Sequence, residues 1–254
     1  GPLEVDEPDL AAVVHLMRDW DGRLAAESPA AAVHEVFTQR LMHRLLAHRL
    51  GDLAPRYMGQ GPTPVLEEGC LFGFRAWEWV QSTLADPQSG WFDLGNGEAR
   101  QEVLRSVLRE TVDHLRATQG PEINGWAWGR MHQLTYAHVL GRIRPLDTFF
   151  NRGPYPLGGD FTTVCATGIS PVGKEGVGTV VGASFRFVAD LSGLHNSVAQ
   201  LVPGQSGQPG SPRLRGASTT RSQRRLRATR NIPRQGSSSL VVSTLQRTPA
   251  AFAA

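Results

Sequence analysis

Apolar residues recur at helical spacing through most of the first 120 positions. Pro8-Asp9 opens a run that sets Leu10, Val13, Val14 and Met17 on one face. Ser28-Pro29 is a second start signal: a serine hydroxyl suits an N-cap, and the fixed φ of proline suits the first turn. Val33, Val36, Phe37, Leu41, Leu45 and Leu46 follow at helical spacing, and Gly51 ends the run, so residues 8–50 read as helical. Residues 55–64 carry proline and glycine and read as a connector. A segment around 71–85 predicts a helix with Leu71, Phe72, Phe74, Trp77, Trp79, Val80 and Leu84 spread all round it, hence burial between layers. The clearest helix spans 97–118. Val103, Leu104, Val107, Leu108, Val112 and Leu115 form its stripe, Glu98, Arg105, Glu110 and Arg116 fit its solvated face, and Gly120-Pro121 stops it.

From Trp126 the texture changes. Glycine and proline recur and β-branched residues cluster. Phe161–Cys165 reads as a strand. Val177–Leu191 reads as another, with Phe185, Phe187 and Ala189 alternating against Ser184, Arg186, Val188 and Asp190; Ser197–Val202 is a candidate third. The fold class is therefore α+β, a helical first half followed by a β-rich, glycine-containing second half, with no internal repeat. Residues 211–254 are rich in Arg, Ser, Thr, Pro and Gly, and only Leu240, Val241, Val242 and Phe252 offer apolar surface. Such a composition buries too little to offset the entropy of ordering.

At 40% hydrophobic, the chain has enough apolar content for a core. The net charge of +3 is unevenly placed. Asp190 is the last acidic residue, and nine arginines follow it; setting those aside leaves residues 1–190 at −6. The basic character belongs to the tail, which lacks interleaved aromatics, so neither a nucleic-acid partner nor a membrane partner is expected. No apolar run is long enough to span a bilayer. The acidic start, Gly1 to Glu7, has no apolar core of a signal peptide. Cys70 and Cys165 form no CxxC or zinc pattern; they either pair in an oxidising compartment or pack as small apolar residues, and no metal site is expected.

Five strings carry a family resemblance: Arg18-Asp19-Trp20-Asp21-Gly22-Arg23 with Glu27-Ser28-Pro29; Trp126 to His132 with His138-Val139-Leu140-Gly141; Gly158-Gly159-Asp160 with Thr163-Val164; Gly182 to Arg186 through Asp190-Leu191; and Pro203 to Pro212. In this order the chain resembles the C-terminal part of the β-chain in the penicillin acylase family, which includes penicillin, cephalosporin and acyl-homoserine-lactone acylases. The resemblance covers about residues 8–212. It implies an N-terminal-nucleophile hydrolase of αββα architecture. There the terminal serine of the β-chain attacks an amide carbonyl, its own α-amine takes the proton, and backbone N–H groups with an Asn side chain hold the oxyanion. It also implies no cofactor, and a periplasmic or extracellular setting. Gly1 has no side chain and cannot be that nucleophile. The nucleophile and oxyanion hole are expected upstream, on an α-chain and an N-terminal β-chain part that would be the partners of this chain, with a small-molecule amide as substrate. Residues 1–212 are thus read as acylase-like. Residues 213–254 are read as a disordered tail or a frameshifted reading, because the family continues there with an aromatic- and acid-containing stretch.

In cephalosporin-type relatives a carboxylate on a late β-chain strand orients a histidine near the nucleophile; Asp190 lies on a strand resembling that one and is the candidate orienting carboxylate, although a strand-end aspartate capping a turn at Ser192-Gly193 is the plainer reading. Arg130, His132, His138 and Asp160 are candidates for structural roles. His132 and His138, six residues apart, match neither one helix face nor a metal pair, and are expected to pack near the interface with the upstream part. Gly158-Gly159-Asp160 predicts a tight turn, with Asp160 binding nearby backbone. Neither it nor Gly204-Gln205-Ser206-Gly207 has the lysine or spacing of a phosphate loop. The six tryptophans either line an acyl pocket or anchor the core. The alternative from another class is a stand-alone, non-catalytic binding or scaffold module with a basic tail.

Overall fold

A computed structural model describes residues 3–58, 73–95, 99–169, 182 and 185–201. Helix α1, Pro8–Arg18, buries Leu10, Val13, Val14 and Met17. Helix α2, Pro29–Leu50, starts where Ser28 Oγ accepts the Ala31 N–H at 3.1 Å and stops at Gly51, whose φ of +50° favours glycine. Short helix α3, Ala54–Tyr57, follows a single 3-10 turn. Helix α4 spans Gly73–Ala85 and α5 spans Arg100–Gln119.

Helix α2 is the centre of the molecule: α1, α3, α4 and α5 all pack on it, as does the one-turn α6, Trp128–Met131. That position leaves its first ten residues no solvated face, so His34, Glu35, Thr38 and Gln39 are buried along with Val33, Val36 and Phe37. Helix α5 lies along α2, burying its own apolar stripe. The seam carries an ion-pair cluster in which Arg44 Nη2 donates to Glu110 Oε1 at 2.6 Å and Arg44 Nη1 to Ser106 Oγ at 2.9 Å. The N-terminal segment is strapped to α5 by Arg109–Glu7 and by Arg116–Asp9 at 2.8 Å.

The β half consists of two separate antiparallel pairs among the described residues. Strand β1, Gln133–Tyr136, pairs with β2, Arg152–Pro156, with a register shift between Leu134 and Tyr136. Between them lies α7, Leu146–Phe150, preceded by the 3-10 turn Val139–Arg142. Strand β3, Phe185–Val188, pairs with β4, Val198–Leu201, in an unbroken register.

Several expectations shift. Phe161–Cys165 is a turn, not a strand. Asp160 Oδ1 accepts the Thr162 N–H at 2.8 Å and its hydroxyl at 2.9 Å, while Thr163 Oγ1 accepts the Asp160 N–H at 3.0 Å. Side chains that satisfy backbone locally compete with a ladder. Helix α4 is amphipathic rather than apolar all round: Ala76, Trp77, Val80 and Leu84 are buried, whereas Arg75 and Glu78 are exposed. Helix α5 begins at Arg100, because Ala99 is extended. Residues 55–57 of the expected connector are helical, within α3. Residues 59–64 of that connector, residues 177–181 and 183–184 of the long strand region, Cys70, the Gly204–Gly207 string and the tail lie outside the described residues.

Candidate functional site

The backbone comes close together where residues 24–28, α6 and the 157–160 segment cross. Gly129 N–H donates to Ala26 O at 2.6 Å, Gly159 N–H to Leu24 O at 2.7 Å, and Trp128 Nε1 to Gly159 O at 3.0 Å. Glycine is required at two of these crossings. A Cβ on Gly158 would lie 2.4 Å from Leu24 O, and one on Gly129 2.9 Å from Ala26 Cβ. Strings from distant parts of the chain that carried the resemblance are thereby one packed unit.

A buried polar layer lies against this crossing. Asp160 is buried; desolvation raises its pKa, and hydrogen bonds, led by those from Thr162, oppose the rise. Glu35 is 1% exposed, and neither carboxylate oxygen has a hydrogen-bond partner among the described residues. Burial, and secondarily the Asp160 charge, pushes its acid well above the ordinary carboxylate range. His34 Nε2 stands 3.7 Å from Glu35 Oε1, which looks like an ion pair. Burial instead holds His34 at about 4, so at neutral pH the imidazole is uncharged and no ion pair forms, and the separation is too long for a hydrogen bond.

His132 is fully buried, stacked on the Trp128 ring at a centroid distance of 4.6 Å. Desolvation lowers it to about 4, and the Leu157 backbone pulls the other way without either ring nitrogen completing a hydrogen bond of normal geometry. His138 is elsewhere: exposed at the far end of β1, its Nδ1 accepting the Leu140 N–H at 3.1 Å and its ring stacked on Phe150. Arg130 points to solvent and donates to Gln119 O at 3.4 Å, closing the C-terminus of α5. Trp126 and Trp128 are core residues whose indole N–H groups reach Gly120 O and Gly159 O.

Asp190 sits at the β3–β4 turn. Its Oδ1 accepts from Ser192 N at 2.9 Å and Ser192 Oγ at 2.6 Å, and these bonds hold its acid below the ordinary value. The same closed ring occurs at Asp160 with Thr162. In both, the hydroxyl donates to a carboxylate that also takes the N–H of the same residue. That is turn-forming geometry and uses the hydroxyl proton locally rather than presenting an activated nucleophile. No group of three or more His, Cys, Asp or Glu residues is placed to hold a metal ion among the described residues. No described helix is long and apolar enough to cross a membrane.

The buried Glu35 and His34 escaped the sequence reading. The available signal was composition: from Ala30 to Gln39, Glu35 is the only charged residue, and a helix without a charged face is buried all round.

A family model described as penicillin amidase matches residues 2–231. The chain belongs to the penicillin amidase family. Among curated relatives of this family, the penicillin acylase 2 proenzyme of Pseudomonas sp. (strain SE83) is 29% identical over 196 residues, covering 76% of this chain and 23% of that protein. An acyl-homoserine lactone acylase QuiP of Pseudomonas syringae pv. syringae is 26% identical over the same length. Its counterpart from Pseudomonas syringae pv. tomato is 26% identical over 212 residues, covering 82% of this chain and 25% of that protein. The chain spans about a quarter of the length of these relatives. The α+β architecture accords with membership: helical layers are joined to antiparallel pairs.

Proposed function

We propose that this chain is the C-terminal part of an acylase β-chain and serves in hydrolysis of a linear amide, a β-lactam side chain or an acyl-homoserine lactone, only together with an upstream acylase segment. The observation that carries this reading is the family match over most of the chain against a span of about a quarter of the relatives. The upstream segment supplies the serine nucleophile, its α-amine base and the oxyanion hole. Residues 1–212 form the acylase unit and 213–254 the tail; the family match, ending at 231, enters the first part of that tail. Asp190 is the proposed orienting carboxylate. In favour of that role, Ser192 keeps it ionised, as a carboxylate holding an imidazole must be.

The experiment is reconstitution of residues 1–254 with the acylase segment encoded upstream in the same genomic DNA, following release of free amine from acyl amides. The pair hydrolyses, either part alone does not, and replacing the upstream terminal serine by alanine abolishes turnover. Hydrolysis by residues 1–254 alone, lost when a residue of this chain is replaced, overturns the proposal.

One observation favours the second reading, a stand-alone scaffold module: among the described residues, almost the whole buried core lies between Leu3 and Met131. Genomic DNA without an acylase-like frame upstream would decide for it.

A further inference from the structure

The exposed apolar surface is distributed opposite to the core. Beyond Met131 only Leu157 and Ile169 are buried large hydrophobics among the described residues, whereas most of the exposed ones lie there. The arm between β1 and β2 concentrates four: Val139 at 80% exposure, Leu140, Ile143 at 60% and Phe149 at 62%.

This arm is held in shape by polar bonds. Asn151 Oδ1 accepts the His138 N–H at 2.9 Å, and Asn151 Nδ2 donates to Gly141 O at 3.1 Å. Gly141 leaves room for that side chain: a Cβ there would sit 1.9 Å from Asn151 Oδ1. The His138 ring stacks on Phe150 at 4.9 Å. An apolar surface fixed in this way loses little freedom on binding, and exposed apolar side chains concentrated on one arm mark an interaction site. Arg142 and Arg144 are exposed on the same arm, while Asp147 Oδ1 takes the Thr148 N–H at 3.0 Å.

We infer that the arm Val139–Phe149 anchors this chain on the upstream acylase segment, seating its four apolar side chains in a groove rimmed by carboxylates that face Arg142 and Arg144. This rests on the reading under Proposed function. The occupant follows from two facts. About three-quarters of the length of each matched relative lies outside the aligned stretch. A second copy of this chain, docked arm to arm, would set arginine against arginine.

The test is the affinity of tagged residues 1–254 for the upstream acylase segment, for the wild type and for the pairs I143D/F149D and R142E/R144E. These sites are at the surface, and a thermal melt of each isolated variant checks that the helical core is intact. Each pair weakens association roughly tenfold or more while the melt stays at the wild-type value. Wild-type affinity in both pairs overturns the anchor and leaves the acylase reading standing. A homodimer of the isolated chain that I143D/F149D dissociates also overturns it. A wild-type chain that does not associate with the upstream segment overturns the reading and the anchor together.

Discussion

At the scale of the residue, the buried layer biases stability with pH in two directions. Glu35 binds its proton more tightly folded than unfolded. Its contribution is complete below its ordinary value of 4.5 and is lost as pH rises toward the raised folded value. Glu35→Gln keeps the shape and removes the proton equilibrium, so the variant declines less than wild type as pH rises above that value; parallel urea-denaturation curves across the range would refute this. His132 behaves oppositely. Its contribution is complete above 6.5 and is lost as pH falls toward about 4. The ordinary-to-folded difference is worth up to about 3 kcal/mol. His132→Gln should flatten the acid limb of the same measurement by a sizeable part of that, at the expense of the Trp128 stacking contact. Neither shift follows from the residue type itself, because burial depends on the elements that fold around each side chain.

At the scale of the element, close backbone approach matters more than surface charge. Gly129→Ala places a Cβ 2.9 Å from both Ala26 Cβ and Pro156 Cβ, a contact that rigid neighbours relieve only by shifting. A loss of about 1–3 kcal/mol is expected. Glu110→Gln removes the charge from a 2.6 Å bond to Arg44, yet both side chains are partly exposed, and the cost stays under about 1 kcal/mol. Chemical denaturation of the two variants side by side checks the order; the reverse ranking would refute it. The same contrast governs what was legible in the sequence. Helices α1, α2 and α5 announced themselves because periodic stripes coincide with Pro8, Ser28-Pro29, Gly51 and Gly120. Strands β1 and β2 did not: one is four residues long, and the other carries Gly153, Pro154 and Pro156. Phe161–Cys165 was misread because Thr163 bonds to the backbone of its own turn and Thr162 bonds to the Asp160 carboxylate.

At the scale of the whole molecule, the two halves differ in how far they satisfy themselves. Five strings in order were enough to read the family, since their crossing points at Gly129 and Gly158–Gly159 depend on residue type. Which residues of the second half carry exposed apolar surface was not legible, because exposure of Phe187, Val188, Leu191 and Leu194 depends on what packs against them. Helices α2 and α5 share a core and should exchange their amide hydrogens only through global unfolding. The β3–β4 pair is two strands with an exposed apolar turn, and an isolated pair of this kind is marginal in water. Hydrogen exchange on residues 1–254 should therefore show α2 and α5 amides protected by orders of magnitude more than those of β3 and β4. Adding the upstream acylase segment should slow exchange in β3 and β4 while leaving α2 almost unchanged, because α2 is already packed against the other helices. Equal protection of both halves in the isolated chain would show that the β half needs no further partner.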